Sequence, residues 1–242
     1  MGIVVQKFGG SSVESTEKLF NICKYITKEY DSNNKVIVIV SAQGKTTDNL
    51  IKEAKEINEK IDKRELDVLM SVGEQITIAK LAMCLKKIGY ESISLTGWQV
   101  PIKTNDNYGD ANILSINVDR IIRELDNRKI VIVAGFQGIN SKNDITTLGR
   151  GGSDTTAVAI AVALKAKKCD IYKDVDGVYN IDPKTNEKAF KYDTISFDEM
   201  LNLSNNGAKV LHNKSVKLAK EFDMPIHIKS IYDENAKGTY IY

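Results

Sequence analysis

The stretch Thr147-Leu-Gly-Arg-Gly-Gly-Ser-Asp-Thr-Thr-Ala-Val-Ala-Ile-Ala-Val-Ala-Leu164 runs a glycine loop directly into a helix of small residues. Ser153 or Asp154 is a good N-cap, and the alanine-rich run that follows has high helix propensity and packs closely. Gly149, Gly151 and Gly152 leave the backbone bare just ahead of that start, so unpaired N–H groups and the positive end of the macrodipole face whatever sits above. The pattern predicts an anion site. Arg150, set among the glycines, adds a planar guanidinium suited to a bidentate grip on a carboxylate or phosphate. Two named loops are excluded by counting: the third glycine of a Rossmann fingerprint would fall at Asp154, and the P-loop ending suggested by Gly44-Lys45-Thr46 has Ile39 where glycine is required.

Working outward, residues 3–8 form a short β-type run that ends in Gly9-Gly10-Ser11-Ser12, and residues 15–30 carry helical periodicity through Leu19, Ile22, Cys23 and Ile26. Residues 36–40 are a continuous β-branched run, the mark of a strand buried on both faces of a parallel sheet, and they end in Ser41-Ala-Gln-Gly44. Helices are expected at 48–60 and 66–88, the second carrying Glu74, and a strand at 91–95. A polar, turn-rich segment through Asn105-Asp-Asn-Tyr-Gly109 is a lid candidate. Beyond it, a helix at 119–126, a buried strand at 130–134 and the loop Gly135-Phe-Gln-Gly138 lead back to the opening stretch. After that stretch come a strand at 169–173, the loop Asp174-Val-Asp-Gly-Val-Tyr179, helices at 196–204 and 213–221, and strands at 225–229 and 239–241. Strands alternating with helices specify α/β architecture: a three-layer αβα sandwich around a mostly parallel sheet, whose ligands bind beyond the C-terminal strand ends. Lys7, Ser41, Gly135, Asp174 and Lys229 each end a predicted strand, so the fold brings them to one edge.

Bulk properties narrow the function. The 242 residues suffice for one large domain, and 34 Lys plus Arg against 32 Asp plus Glu leave a formal charge of +2. That balance excludes the basic footprint of a nucleic-acid binder and leaves small anionic ligands open. The apolar runs at 36–40 and 157–164 fall far short of the roughly 20 residues a membrane helix needs, and the N-terminus reads as neither a signal peptide nor a myristoylation site. Cys23, Cys84 and Cys169, odd in number and set among apolar neighbours, are expected to be reduced thiols in a cytoplasm. His212 and His227 lack metal-ligand spacing, so no protein-bound metal is expected.

Taken together, Lys7-Phe-Gly-Gly-Ser-Ser-Val13, Val40-Ser-Ala42, Gly149-Arg-Gly-Gly-Ser-Asp154, Asp174-Val-Asp-Gly-Val-Tyr179 and Gly207-Ala-Lys-Val-Leu-His212 resemble aspartokinase, of the amino acid kinase superfamily. The resemblance runs in order from Lys7 to about Thr239. It implies the amino acid kinase (carbamate kinase-like) fold and ATP-dependent phosphorylation of the side-chain carboxylate of L-aspartate, the first step toward lysine, threonine and methionine. It further implies ATP and Mg²⁺ as cofactors and a homodimer formed through the kinase core. The chemistry is compatible: an aspartate side chain is already an ionised nucleophile at neutral pH, so lysines, amides and Mg²⁺ matter more than a general base.

By resemblance, Lys7, Asp154 and Lys209 are the catalytic residues, with Lys7 and Lys209 on the phosphates and Asp154 steering Lys7 or the substrate ammonium. The amides of Gly9 and Gly10, with Ser11, cradle the phosphoryl group. Ser41, Thr47, Glu74, Arg150 and Ser153 form the aspartate pocket, in which Arg150 takes the α-carboxylate and Glu74 the ammonium. Lys173, Asp174, Tyr179 and Lys184 line the nucleotide. Phe136 and Trp98 are candidates for the wall, although core packing accounts for either.

The sequence departs from the family pattern at Lys173, where Thr is usual, at Lys184, where Arg is usual, and at Asn213-Lys214, where Pro-Arg usually follows Leu-His. Lysine lacks the arginine fork, so nucleotide geometry at Lys184 is expected to differ. Residues 1–242 read as a single catalytic domain with no C-terminal ACT regulatory domains, from which insensitivity to lysine and threonine is expected. The alternatives are a relative acting on glutamate, N-acetylglutamate, carbamate or UMP, and a catalytically silent ligand sensor. Glu74 with Arg150 favours a free α-amino acid.

Overall fold

The computed structural model describes every residue except Met1, Asp182, Lys184, Glu187, Ala208 and Lys209. β1 (Ile3–Phe8) leads through a tight turn at Gly10–Ser12 into α1 (Thr16–Asp31), and β2 (Lys35–Val40) leads into α2 (Thr46–Ile57), α3 (Lys63–Lys87) and β3 (Ser92–Leu95). β4 (Ile102–Thr104), β5 (Ile113–Ile116), α4 (Asp119–Asp126), β6 (Ile130–Ala134), β7 (Gln137–Ile139) and β8 (Ile145–Thr147) bring the chain to α5 (Gly152–Ala163). The remainder comprises β9 (Lys168–Lys173), β10 (Val178–Tyr179), β11 (Lys191–Tyr192), β12 (Thr194–Ile195), α6 (Phe197–Asn205), α7 (Asn213–Glu221), β13 (Ile226–Ser230) and β14 (Thr239–Ile241).

The central sheet has eight strands in the order β12-β14-β13-β9-β1-β2-β6-β3, parallel throughout except for the β13–β14 pair. β2 and β6 are apolar almost throughout because both faces are covered, whereas β1 and β9 break the pattern with Gln6, Lys7 and Asp170. On one face Phe8, Val36, Val38 and Ile132 meet Leu19, Ile22 and Ile26 of α1 and Ile78, Leu81 and Leu85 of α3. On the other, Val5, Ile37, Ile39 and Ile171 meet Ala157, Val158 and Ile160 of α5, Ile121 of α4, Met200 of α6 and Val216 of α7. Each fully buried Ile or Val contributes roughly 1.5–3 kcal/mol of apolar transfer, and two such layers make the expected αβα sandwich.

Side-chain alternation along β1 decides what reaches the site. Gln6 and Phe8 face α1, whereas Val5 and Lys7 face α5. On β9, the register pairs Lys7 with Ile171, and Lys173 lies two residues further on the same α5 face. Two lysines therefore stand side by side beneath the first turn of α5.

Three sequence expectations need correction. The segments at 102–116 and 135–147 are not only loops: they build a second sheet, β5-β4-β7-β8, of three- and four-residue strands too short to display a period. The N-cap of α5 is Gly151, at φ 70°, rather than Ser153 or Asp154, which lie in the first turn. The Asp154 carboxylate is held by lysines and is not free to cap. Finally, α3 is 25 residues long and an 18-residue stretch of it reaches a mean hydropathy of 1.4, enough by length and composition to cross a membrane, with 56% of that stretch buried inside the protein. Glu74 and Lys80 interrupt its middle, which is why no uninterrupted apolar run announces it. All three cysteines are free and buried, as expected.

Candidate active site

The C-terminal ends of β1, β2, β6 and β9 and the start of α5 open onto a cavity of about 990 Å³. Of the residues expected in a site, Lys7, Gly10, Ser41, Thr47, Glu74, Arg150, Ser153, Asp154 and Lys173 line it together. Ile51, Leu66, Met70 and Phe136 supply apolar wall. Gly9, Ser11, Asp174, Tyr179 and Trp98 are not among the lining residues; the Tyr179 hydroxyl donates to Asp176 at 2.8 Å, away from the cavity. Lys184 and Lys209 lie outside the described residues.

Asp154 is the electrostatic centre. One carboxylate oxygen sits 2.7 Å from Lys7 Nζ, and the other accepts a hydrogen bond from Lys173 Nζ at 2.8 Å. Lys7 and Asp154 are both almost completely buried, with side-chain exposures of 6%. Burial alone would raise the Asp154 carboxyl, but the charges and hydrogen bonds of the two lysines outweigh it and hold it at about 2. Burial lowers Lys7; Asp154 pulls it back up and Lys173 pushes it further down. Two ammoniums share one carboxylate, so the trio carries a net positive charge at the floor of the cavity, where the low dielectric strengthens its pull on an anion.

The backbone around this trio is tight. A Cβ on Gly10 would lie 2.7 Å from the Ala42 carbonyl oxygen, so the loop after β1 touches the loop after β2 only because residue 10 is glycine. Gly151 combines its left-handed φ with a position where a Cβ would fall 2.3 Å from that of His212.

The second group of charges comprises Glu74 and Arg150. Glu74 is buried on α3; its Oε1 accepts the Ala42 N–H at 2.9 Å, while its Oε2 has no hydrogen-bond partner. Burial pushes the carboxyl up to about 7, only partly opposed by the backbone hydrogen bonds. Arg150 is exposed on the glycine loop and makes no ion pair among the described residues. An unpaired buried carboxylate oxygen and a free guanidinium on one cavity are what a zwitterionic amino acid requires.

Sequence reasoning missed several lining residues. His212 caps α7, its Nδ1 accepting the Lys214 N–H at 3.4 Å, and it closes over Gly151. Asn213 also lines the cavity, which places that departure from the family pattern at the site, and its Nδ2 donates to Asn205 Oδ1 at 2.6 Å. Gly109 of the lid segment borders the cavity as well. Gly109 had a signal as part of the polar turn, and His212 and Asn213 had one as the end of the Gly207-to-His212 motif and the departure that follows it, but none of the three was assigned to the pocket.

Residues 2–230 match the model of the amino acid kinase family. The chain belongs to the amino acid kinase family. The chain is 53% identical over 241 residues to an aspartokinase of Geobacillus stearothermophilus, covering 100% of the chain and 59% of that protein. It superposes on the crystal structure of aspartate kinase from Synechocystis with TM-score 0.88 and 41% identity, covering 99% of this chain and 39% of that one. With E. coli aspartokinase III in complex with aspartate and ADP the TM-score is 0.89 at 27% identity, covering 99% and 64%. The chain thus spans about three-fifths of the length of the curated relatives it matches.

Proposed function

We propose that residues 1–242 form a single catalytic domain that transfers the γ-phosphoryl group of ATP to the side-chain carboxylate of L-aspartate, giving 4-phospho-L-aspartate and ADP. The observation that carries this reading is one cavity holding both a buried Lys7–Asp154–Lys173 trio beside a glycine loop and an unpaired Glu74 with Arg150. The relatives named aspartokinase, and the aspartate and ADP held by the E. coli enzyme, support it.

In this reading Glu74 takes the substrate ammonium and Arg150 the α-carboxylate, with Ser41, Thr47 and Ser153 completing the pocket. The substrate side-chain carboxylate is left to attack the γ-phosphorus, and being ionised it needs no general base. Lys7, Lys173 and the Gly9 and Gly10 amides neutralise charge that spreads over the equatorial phosphoryl oxygens, and Asp154 aligns the two ammoniums. Lys209, Lys184, Ser11, Asp174 and Tyr179 remain assigned to the nucleotide by resemblance. Mg²⁺ enters as part of the Mg·ATP substrate: the described residues hold no cluster of three His, Cys, Asp or Glu side chains, and an ion carried by phosphates and water needs none. The free, buried cysteines support a cytoplasmic setting. Val72, Ile76 and Met83, exposed along α3, support a homodimer.

The test is ADP release from Mg·ATP with L-aspartate, L-glutamate, N-acetyl-L-glutamate, carbamate and UMP in parallel. L-Aspartate is expected to be the acceptor. Turnover on another acceptor would overturn the pocket assignment while keeping the phosphate site, and silence with all of them would refute the kinase reading.

A further inference from the structure

Asp67 has no role in the scheme above, yet it is a fully buried carboxylate outside it. It lies on α3 with no exposed surface and has no ion-pair partner among the described residues. A carboxylate in that position is costly unless both oxygens are satisfied. They are: Oδ2 accepts the backbone N–H groups of Gly109 and Thr147, each at 2.9 Å, and Oδ1 accepts the Thr147 hydroxyl at 2.7 Å. Burial raises the Asp67 carboxyl, and these bonds oppose that rise.

What those donors belong to gives the arrangement its meaning. Gly109 is the cavity-lining residue of the lid segment. Thr147 ends β8, and the glycine loop bearing Arg150 begins immediately after it. Thr147 returns a bond to the same segment, its carbonyl accepting the Ala111 N–H at 2.9 Å. Gly149 lies so close to the lid that a Cβ there would be 2.6 Å from Asp110 Oδ1. Asp67 itself stands seven residues before Glu74, two turns along the buried face of α3.

We infer that Asp67 is a positioning residue: its carboxylate pins the lid at Gly109 and the root of the glycine loop at Thr147 to the helix carrying Glu74, fixing the separation at which Glu74 and Arg150 meet an α-amino acid. The inference deepens the proposed function and rests on it for the identity of the acceptor. The Lys7–Asp154–Lys173 trio stands on β1, α5 and β9, and the hydrogen bonds of Asp67 go to Gly109 and Thr147 instead. Its effect should therefore fall mainly on acceptor binding and much less on the nucleotide.

The experiment combines two-substrate kinetics with amide hydrogen exchange on the full chain, for wild type, Asp67→Ala and Asp67→Asn. Asp67→Ala removes the acceptor for three donors and is expected to raise KM for L-aspartate about tenfold or more, with KM for ATP within about twofold of wild type. Asp67→Asn keeps one acceptor oxygen for the two amides and is expected to fall between, at about threefold. Exchange should quicken at 109–110 and 147–152 and nowhere in the central sheet. KM values for both substrates rising together, with exchange raised across the sheet, would reduce Asp67 to a structural role and overturn the inference. Unchanged exchange at 109 and 147 would overturn it as well. Where Asp67→Ala does not fold, Asp67→Asn decides by the same pair of readouts. Exchange needs no substrate, so it tests Asp67 even if wild type proves inactive on L-aspartate; turnover on a different acceptor transfers the KM comparison to that acceptor.

Discussion

Replacing Glu74 with Gln should make the protein more stable and less active, both in a pH-dependent way. Burial lifts the Glu74 carboxyl from 4.5 to about 7, and at about 1.36 kcal/mol per pH unit its ionisation in the folded state costs on the order of 3 kcal/mol. A raised folded-state carboxyl contributes stability that is complete below pH 4.5 and is lost as pH rises through about 7. Gln carries no such charge, and its amide oxygen accepts the same Ala42 N–H. Relative to wild type, Glu74→Gln should therefore gain little at pH 4 and up to about 3 kcal/mol at pH 8.5, read as a rise in Tm of roughly 5–10 °C. The ammonium of the substrate loses its counter-charge, so kcat/KM for L-aspartate should fall on the order of 10–100-fold at pH 8. The wild-type acid limb of kcat/KM near pH 7 should disappear with it. Urea unfolding from pH 4 to 9, paired with steady-state rates across the same range, measures both. A variant no more stable than wild type at pH 8.5, or an acid limb that survives the substitution, would refute the reasoning.

The phosphate side of the cavity makes its own predictions. Lys173→Met removes a cation that pushes Lys7 down, so the alkaline limb of the pH–rate profile should move upward while kcat/KM drops about tenfold. Asp154→Asn leaves two buried ammoniums without their carboxylate and should cost about 2–3 kcal/mol of stability at pH 7 in urea unfolding, the drop from 3.8 to about 2 taken at about 1.36 kcal/mol per unit. Because Asp154 is held at about 2, well below its usual 3.8, that contribution is present above pH 3.8 and fades as pH falls through about 2, where the two proteins should converge. Gly151→Ala places a Cβ at φ 70° against His212 and should lower stability by about 1–3 kcal/mol in thermal unfolding, with weaker binding of both substrates.

Legibility followed the range over which each signal acts. The runs at 3–8, 36–40 and 130–134 announce buried parallel strands by composition alone, and the small-residue run after Gly152 announces a helix buried on every side. Lys7 and Asp154 could be singled out because each flanks a glycine loop, Lys7 just before Gly9 and Asp154 just after Gly152. Their contact entered only through the family resemblance, since it depends on β1 and α5 meeting across 147 residues of chain order, and that of Lys173, which depends on the β1–β9 register, was not foreseen. Asp67 was invisible for the same reason: a lone helix Asp gives no local sign that its partner lies 80 residues away. The second sheet failed to register because its strands span one or two side-chain repeats.

The central claim is that this cavity joins the γ-phosphoryl group of ATP to the side-chain carboxylate of L-aspartate. An acyl phosphate formed there reacts with hydroxylamine, so the decisive measurement is the hydroxamate formed from Mg·ATP and L-aspartate, with L-glutamate in parallel. The account predicts aspartyl hydroxamate in step with ADP from L-aspartate, and its loss in Asp154→Asn. ADP released without hydroxamate, or hydroxamate formed equally from L-glutamate, would contradict it.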